Sequence, residues 1–151
     1  MVMGPEMQDL MTTSSFGVEI DGIVIGTFKE VAGIDSTTQV VEYRESTATG
    51  QMVLRKIPGS ASWSDLTLRK RLDTSMDLWE WRQQILEGDI DNARRNGSII
   101  MFDSQLNERA RWNFVNGWPS SWRGADFDAA ADEIAIEEMT ISHEGLERVA
   151  G

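Results

Sequence analysis

The sequence has no cysteine among its 151 residues, so disulfide bridges and thiol chemistry are excluded. It also has no apolar run near the roughly 18 residues that a membrane-spanning helix needs. The longest candidate, Ser98 to Phe102, has the length of a strand. Met1 to Ser15 contains no Lys or Arg and no continuous apolar stretch, unlike a secretory signal. These absences predict a soluble protein.

The usual signatures of catalysis and of cofactor or metal binding are missing as well. The single histidine, His143, has no Ser or Cys nucleophile motif nearby, which argues against triad chemistry. Asp126-x-Asp128 followed by Asp132-Glu133 lacks the glycine and the terminal glutamate of an EF-hand loop. Phosphate-binding glycine loops, zinc spacings and the dinucleotide fingerprint do not occur. We therefore expect no enzyme activity, no cofactor and no bound metal.

Basic residues are in short supply, with 14 Lys and Arg against 25 Asp and Glu. The net charge of -11 argues against a general nucleic-acid-binding surface. Five of the basic residues lie between Gly50 and Arg71, whereas Gly124 to Glu147 holds eight acids and no Lys or Arg. Two solvated surfaces would explain this distribution. So would contact between the basic part of one subunit and the acidic part of the next, because such complementarity fixes register.

The first part of the chain predicts two β-hairpins. Phe16 to Ile20 alternates apolar and polar residues, Asp21-Gly22 is a strong two-residue turn, and Ile23 to Phe28 supplies the return strand. Two β-prone runs around a polar turn predict a second, longer hairpin that Pro58-Gly59 ends; they are Val40 to Arg44 and Met52 to Ile57.

Further strands and one helix follow. Leu66 and Leu68 alternate with polar residues, which predicts a half-buried strand. A helix at about residues 75–87 is predicted from Leu78, Trp81 and Ile85, with a Thr74–Asp77 capping box and Gly88 as C-cap. Ile99 to Asp103 and Arg109 to Val115 form another predicted hairpin, and the apolar residues from Ile134 to Ile141 change phase, which indicates a bulge or a strand buried on both faces.

These elements predict a mainly β fold. Seven or eight short strands imply two packed antiparallel β-sheets, as a sandwich or partly open barrel, with the one helix flanking them. Residues 16–151 are expected to form a single domain, with residues 1–15 as an N-terminal arm that is flexible or contacts a neighbouring copy of the chain. Such a sheet leaves edge strands that must be covered, charged or paired with another chain.

Several segments, in order, resemble the tail-tube family of contractile phages, tailocins and extracellular contractile injection systems. They are Val41–Glu45, Lys56–Gly59, Leu66–Lys70, Leu78–Trp81, Trp112–Pro119 and Asp132–Ile141. The resemblance covers about Phe16 to Val149. It implies six copies in a ring whose inner strands form a continuous β-barrel around a lumen, with rings stacked inside a contractile sheath. The implied partners are further copies of the chain, sheath, baseplate and spike proteins, and protein cargo. The implied location is the bacterial cytoplasm during assembly and then a phage-tail-like particle, cell-bound or released.

On this resemblance the second hairpin is the expected contact with a neighbouring subunit or ring. Its predicted contact residues are Val41, Glu42, Tyr43, Arg44, Met52, Leu54, Arg55, Lys56 and Ile57. The predicted acidic counter-surface consists of Asp126, Asp128, Asp132, Glu133, Glu137 and Glu138. Candidates for a wet lumen are Thr67, Arg69, Arg111 and Asn113. The alternatives are a monomeric β-barrel that binds a small ligand, which six tryptophans would permit, and a carboxylate-using hydrolase.

Overall fold

A computed structural model of the chain describes residues 15–124 and 135–150. In these residues the chain forms ten strands and two helices. The strands are β1 Ser15–Ile20, β2 Ile23–Phe28, β3 Glu30–Ala32, β4 Thr37–Ser46, β5 Met52–Ser62, β6 Leu66–Arg71, β7 Arg95–Phe102, β8 Glu108–Arg123, β9 Ile136–Ser142 and β10 Gly145–Val149. The helices are α1 Asp77–Leu86 and α2 Ile90–Ala93. None of the described helices is long and apolar enough to cross a bilayer.

Eight strands are joined by antiparallel pairing: seven form a path in the order β2-β1-β7-β8-β9-β6-β3, and β10 pairs with β8 off this path. The long strand β8 belongs to two packed sheets. Its first part pairs with β7 and β10, and Trp118 to Arg123 pairs with β9. We call the sheet β2-β1-β7-β8-β10 the first sheet and the sheet β8-β9-β6-β3 the second sheet. Asn116 lies between the two parts of β8 and has a φ of 49°, a value common to turns and bends.

The two sheets nearly close on the side opposite β8. The chain passes from β2 into β3, and the N–H of Lys29 donates to the carbonyl of Arg69 at 3.0 Å. The described residues nonetheless form no closed barrel. The predicted mainly β fold, a sandwich or partly open barrel with a flanking helix, is confirmed.

The core lies between the sheets and under α1. Its buried apolar residues come from β1, β2, β6, β7, β8, β9 and both helices: Val18, Ile20, Phe28, Leu66, Leu68, Leu78, Trp81, Ala93, Ile99, Phe114, Met139 and Ile141. Two hydrogen bonds fix the helix. The indole Nε1 of Trp81 donates to the carbonyl of Ala93 at 2.7 Å, and Arg82 donates to the carbonyl of Pro119 at 3.0 Å. Burial of the large indole with its N–H satisfied makes α1 part of the core.

The start of α1 differs from the prediction. The helix begins at Asp77, and no side chain caps it, so the expected Thr74–Asp77 capping box does not form. Instead the carboxylate of Asp73 accepts the N–H of Ser75 at 2.9 Å and lies 3.3 Å from Nζ of Lys70. This carboxylate holds the residues before the helix in a turn, which delays the first helical residue. A short second helix, α2, was also not predicted.

The strand β5 runs on to Ser62, so Pro58-Gly59 does not end it as expected. Within the described residues β5 pairs only with β4, and the pairing shifts register between Thr38 and Val40, opposite Pro58. Proline lacks an N–H but is tolerated on an edge strand or at a bulge, which is the situation here.

A buried ion pair explains the phase change near residue 136. In β9 the inward residues are Glu137, Met139 and Ile141, while Ile136 is exposed. The predicted bulge is not in β9: its pairing with β6 runs without a shift, and the shift opposite β9 lies in β8. Nζ of Lys70 lies 3.6 Å from Oε1 of Glu137, with both side chains 5% exposed, and Nε1 of Trp122 donates to Oε2 at 2.8 Å. The apolar pattern is interrupted because a carboxylate takes a core position.

Removal of one partner from this pair should destabilise the fold strongly. We expect Lys70→Met to lower the free energy of unfolding by about 3–5 kcal/mol, because it leaves the Glu137 charge buried without its cation. Lys70→Met combined with Glu137→Leu should recover most of that loss, because no buried charge remains. Urea unfolding followed by tryptophan fluorescence measures both variants. A Lys70→Met protein as stable as the unaltered chain would contradict the role of the pair.

Candidate assembly surface

Strands β4 and β5 form a separate two-stranded ribbon, which we call the projecting hairpin. Its turn is held by the N–H of Thr47 donating to the carbonyl of Gln51 at 2.8 Å, and by the N–H of Gly50 donating to the carbonyl of Thr47 at 3.0 Å. Gly50 has a φ of +82°, a conformation that glycine adopts without strain. The turn fixes the register, in which Val41 faces Ile57 and Arg44 faces Leu54.

The projecting hairpin makes few contacts with the rest of the described chain. Every residue of β4 is exposed, and in β5 only Val53 is partly covered. Its apolar side chains stand in solvent, with Val40 58%, Met52 63% and Leu54 53% exposed. An isolated two-stranded hairpin is marginally stable at best in water, and contiguous exposed apolar side chains mark interaction sites.

The cross-strand pairs give the hairpin two faces of different character. The face that we call the inner face carries Val41, Tyr43 and Ile57, together with the ion pair Arg55–Glu45 at 3.2 Å. The opposite face, which we call the outer face, carries Val40, Leu54, Met52, Arg44 and the ion pair Lys56–Glu42 at 3.8 Å. All nine predicted contact residues therefore lie on one element, distributed over two faces.

The predicted acidic counter-surface is only partly described. Asp126, Asp128, Asp132 and Glu133 lie outside the described residues. Glu138 lies on the outward face of the second sheet, where its Oε2 is 2.8 Å from Nε of Arg69. Glu137 is buried against Trp122 and Lys70, so its carboxylate is not part of an exposed surface.

The four candidate lumen residues lie on the outward faces of two different sheets. Thr67 and Arg69 are on the second sheet, where Arg69 lies 3.6 Å from Glu30 as well as beside Glu138. Arg111 and Asn113 are on the first sheet, where Asn113 accepts a hydrogen bond from Ser98 at 2.7 Å. The structure brings the members of each pair together but separates the two pairs.

Arg111 ties together the outward face of the first sheet. Its guanidinium donates to Glu19 on β1 at 3.1 Å and to Glu108 on β8 at 2.7 Å. These charge-assisted bonds raise the pKa of Arg111 above its ordinary value, with Glu108 the larger cause. In turn, the hydrogen bond from Arg111 holds the pKa of the Glu108 carboxyl below its usual range.

The single histidine has one ring nitrogen beside a backbone carbonyl, and its Nδ1 is buried without a hydrogen-bond partner in the described residues. Nε2 of His143 is 3.0 Å from the carbonyl oxygen of Ser64, near the base of the projecting hairpin. No group of three or more Asp, Glu or His residues within 15–124 and 135–150 is arranged to hold a metal ion. The side chains of Phe114, Leu68 and Met139 have no solvent exposure and fill the middle of the fold.

A groove between β2 and α1 was not anticipated from the sequence. It has a volume of about 250 Å³ and is lined by Ile23, Ile25, Asp77, Glu80, Trp81, Gln84 and Arg95. Two sequence signals bear on it: Ile23 and Ile25 occupy alternate positions after the Asp21-Gly22 turn, and Asp77 and Glu80 are three residues apart in the predicted helix. Nothing in the sequence shows that these two segments adjoin.

The chain is similar to known proteins both in sequence and in structure. The sequence model of one family, described as T4-like virus tail tube protein gp19, matches residues 12–147. No curated protein sequence matches the chain significantly.

Solved structures show where the fold recurs. A chain in the extended sheath-tube complex of the extracellular contractile injection system PVC aligns with a TM-score of 0.74 at 22% identity, covering 99% of this chain and 100% of that chain. A chain in the six-fold symmetrised baseplate of the anti-feeding prophage has a TM-score of 0.70 at 14% identity, covering 93% and 95%. Hcp1 from Flavobacterium johnsoniae has a TM-score of 0.52 at 15% identity, covering 91% and 97%. At these identities the likeness shows the fold.

The Arg111 cluster predicts a change in acid sensitivity. Because the folded-state pKa of Glu108 is depressed, its contribution to stability is present above the unfolded pKa and lost as pH falls through the folded value. We expect Arg111→Met to raise the pKa of Glu108 and to lower the free energy of unfolding by about 1–2 kcal/mol at neutral pH. The loss should shrink as pH falls below about 4.

Carboxyl NMR titration and urea unfolding at several pH values measure these effects. Arg94→Met is the matched control, because Arg94 is exposed and its side chain makes no ion pair in the described part of the chain. An unchanged Glu108 pKa in Arg111→Met would contradict the assigned cause.

Proposed function

The chain belongs to the T4-like virus tail tube protein gp19 family and is a structural tube protein of contractile injection systems; on this premise we propose that six copies close into a ring and that rings stack into a tube. The bare projecting hairpin is the observation that carries the proposal. A ribbon with apolar side chains on both faces is stable only where other surfaces cover it.

Edge strands support ring closure. Within the described residues β2, β3 and β10 each have one strand neighbour, so each presents an unpaired backbone edge. Unpaired edges are templates for pairing with another chain. If each copy is related to the next by the same rotation and the ring closes, the edges that pair between copies are no longer exposed. Inner strands of neighbouring subunits then form one barrel, and one of the two outward sheet faces, with Thr67 and Arg69 or with Arg111 and Asn113, lines the lumen. The six-fold symmetry of the similar baseplate favours six copies.

The proposed partners follow the assemblies in which similar chains occur. The tube is proposed to lie within a sheath and to stand on a baseplate with a spike, as the sheath-tube and baseplate neighbours suggest. Sheath contraction then drives the tube through a target envelope, and the lumen carries protein cargo. Subunits are proposed to assemble in the bacterial cytoplasm before they enter a phage-tail-like particle. The predicted arm at residues 1–15 is proposed to contact the next ring, and the contribution of the chain is mechanical rather than catalytic.

Size and shape test the proposal directly. We expect purified protein to elute as rings or higher assemblies in size-exclusion chromatography with light scattering, and to show rings and tubes by negative-stain electron microscopy. Protein that remains monomeric at every concentration, with a small ligand bound in its centre, would favour a ligand-binding barrel and overturn the proposal.

Leu54 tests the hairpin itself. We expect Leu54→Asp to leave soluble, folded protein that forms no tubes, because a charge replaces a side chain that a neighbour must cover. Circular dichroism checks the fold, and negative-stain microscopy counts the tubes. Leu106→Asp is the matched control, since Leu106 is also an exposed leucine in a β-hairpin, 72% accessible, and should leave assembly intact. Tubes of normal length from Leu54→Asp would contradict the assignment of the projecting hairpin as a contact between copies.

A further inference from the structure

We propose that the outer face of the projecting hairpin docks, in a second copy of the chain, into the groove between β2 and α1, with Arg44 facing Asp77 and Glu80. This inference rests on the proposed function and adds the counter-surface. It places that surface at the helix and the β2 edge rather than in the acidic final third.

The groove has an apolar floor and an acidic rim. Ile23 is 68% exposed, and beside it Ile25 and Trp81 complete the floor. Asp77 and Glu80 stand exposed on the first turn of α1, and neither carboxylate has an ion-pair partner in the described residues. Arg95 also lines the groove, and its guanidinium donates to the carbonyl of Asn92 at 3.2 Å and to Oε1 of Gln84 at 3.3 Å. Two carboxylates and one guanidinium leave the rim with a net negative charge, which beside an exposed large apolar side chain suits a ligand that is apolar and carries one positive charge.

The outer face of the hairpin has that composition. Leu54 and Met52 are its exposed large apolar residues towards the tip, and Arg44 lies directly opposite Leu54 in the register. Arg55 and Lys56 have carboxylate partners within the hairpin, whereas Arg44 has none in the described part of the chain. One uncompensated cation therefore accompanies the apolar pair.

Backbone geometry adds a second fit. In the described residues β2 pairs with β1 on one side only, so its other edge has no strand neighbour, and its residues Ile23 and Ile25 line the groove with α1. The projecting hairpin likewise has two unpaired edges. A strand added to a free sheet edge gains main-chain hydrogen bonds while its side chains enter adjacent pockets.

A competing occupant is the N-terminal segment before Ser15. That segment contains Glu6 and Asp9 and no Lys or Arg, so it would bring negative charge to an acidic rim. The charge pattern therefore favours the hairpin of a second copy.

The absence of cysteine permits a direct crosslinking test. We expect the double variant Ile23→Cys with Leu54→Cys to form tubes and, on mild oxidation, a ladder of covalent multimers on a non-reducing gel. Each single-cysteine variant should stop at dimers, because one thiol per chain cannot extend a ladder.

Three outcomes of this experiment would overturn the docking site. Tubes that yield no species beyond dimers would show that the hairpin docks somewhere other than this groove, and the proposed function would remain intact. A disulfide-closed monomer would show that the hairpin folds onto its own groove. A cysteine-free chain that forms neither rings nor tubes would remove the proposed function as well.

Charge exchange tests the role of Arg44. Arg44→Glu and Glu80→Arg should each raise the concentration needed for tube formation roughly tenfold or more, because like charges meet across the interface. The two changes together should restore assembly to within about threefold of the unaltered chain, since opposite charges again face each other.

Glu147→Arg combined with Arg44→Glu is the matched control. Glu147 is an exposed acid on β10 without an ion-pair partner in the described residues, and its reversal should give no rescue. Rescue by Glu147→Arg, or by Glu138→Arg, would place the counter-surface in the acidic final third and overturn the proposal. Failure of Glu80→Arg to rescue would also count against it.

Discussion

A two-stranded ribbon that shows apolar side chains on both faces cannot be a stable endpoint for a single chain in water. Each exposed residue such as Leu54 or Met52 forgoes the free energy of burial, and the ribbon has no third strand to support its hydrogen bonds. The remainder of the subunit is built in the opposite way, with a filled core and satisfied helix contacts. The fold thus combines a self-sufficient body with one element that the rest of the described chain leaves uncovered.

The sequence predicted those parts of the fold that depend on local chemistry. The Asp21-Gly22 turn places both residues at positive φ, which suits a two-residue hairpin, and Gly50 serves the second hairpin similarly. The alternation of buried and exposed residues in β6 and in the first part of β8 could also be predicted, because a half-buried strand repeats every two residues. The features that were missed depend on polar side-chain contacts that the apolar pattern does not show. The start of α1 depends on Asp73, and the inward position of Glu137 depends on Lys70 and Trp122.

The candidate site likewise has one part that the sequence predicts and one part that it does not. The exposed apolar residues of the hairpin could be predicted because their β pattern and apolar character lie within one short segment. The groove could not, because Ile23 and Glu80 come from distant segments that only the packing of α1 on the core brings together. The acidic character of the final third was correctly read from composition, but composition does not reveal that Glu137 lies inside the protein.

The shared strand β8 has a mechanical consequence. Its first part is bonded to β7 and β10 and its last part to β9, so one covalent backbone runs through both sheets. The sheets cannot slide past each other unless several backbone hydrogen bonds break at once or the backbone of β8 itself deforms. A force along β8 is therefore borne in shear by rows of hydrogen bonds acting in parallel. In the proposed tube, the body of the chain should therefore transmit a sudden push as a stiff block, and the contacts between copies should supply the compliance.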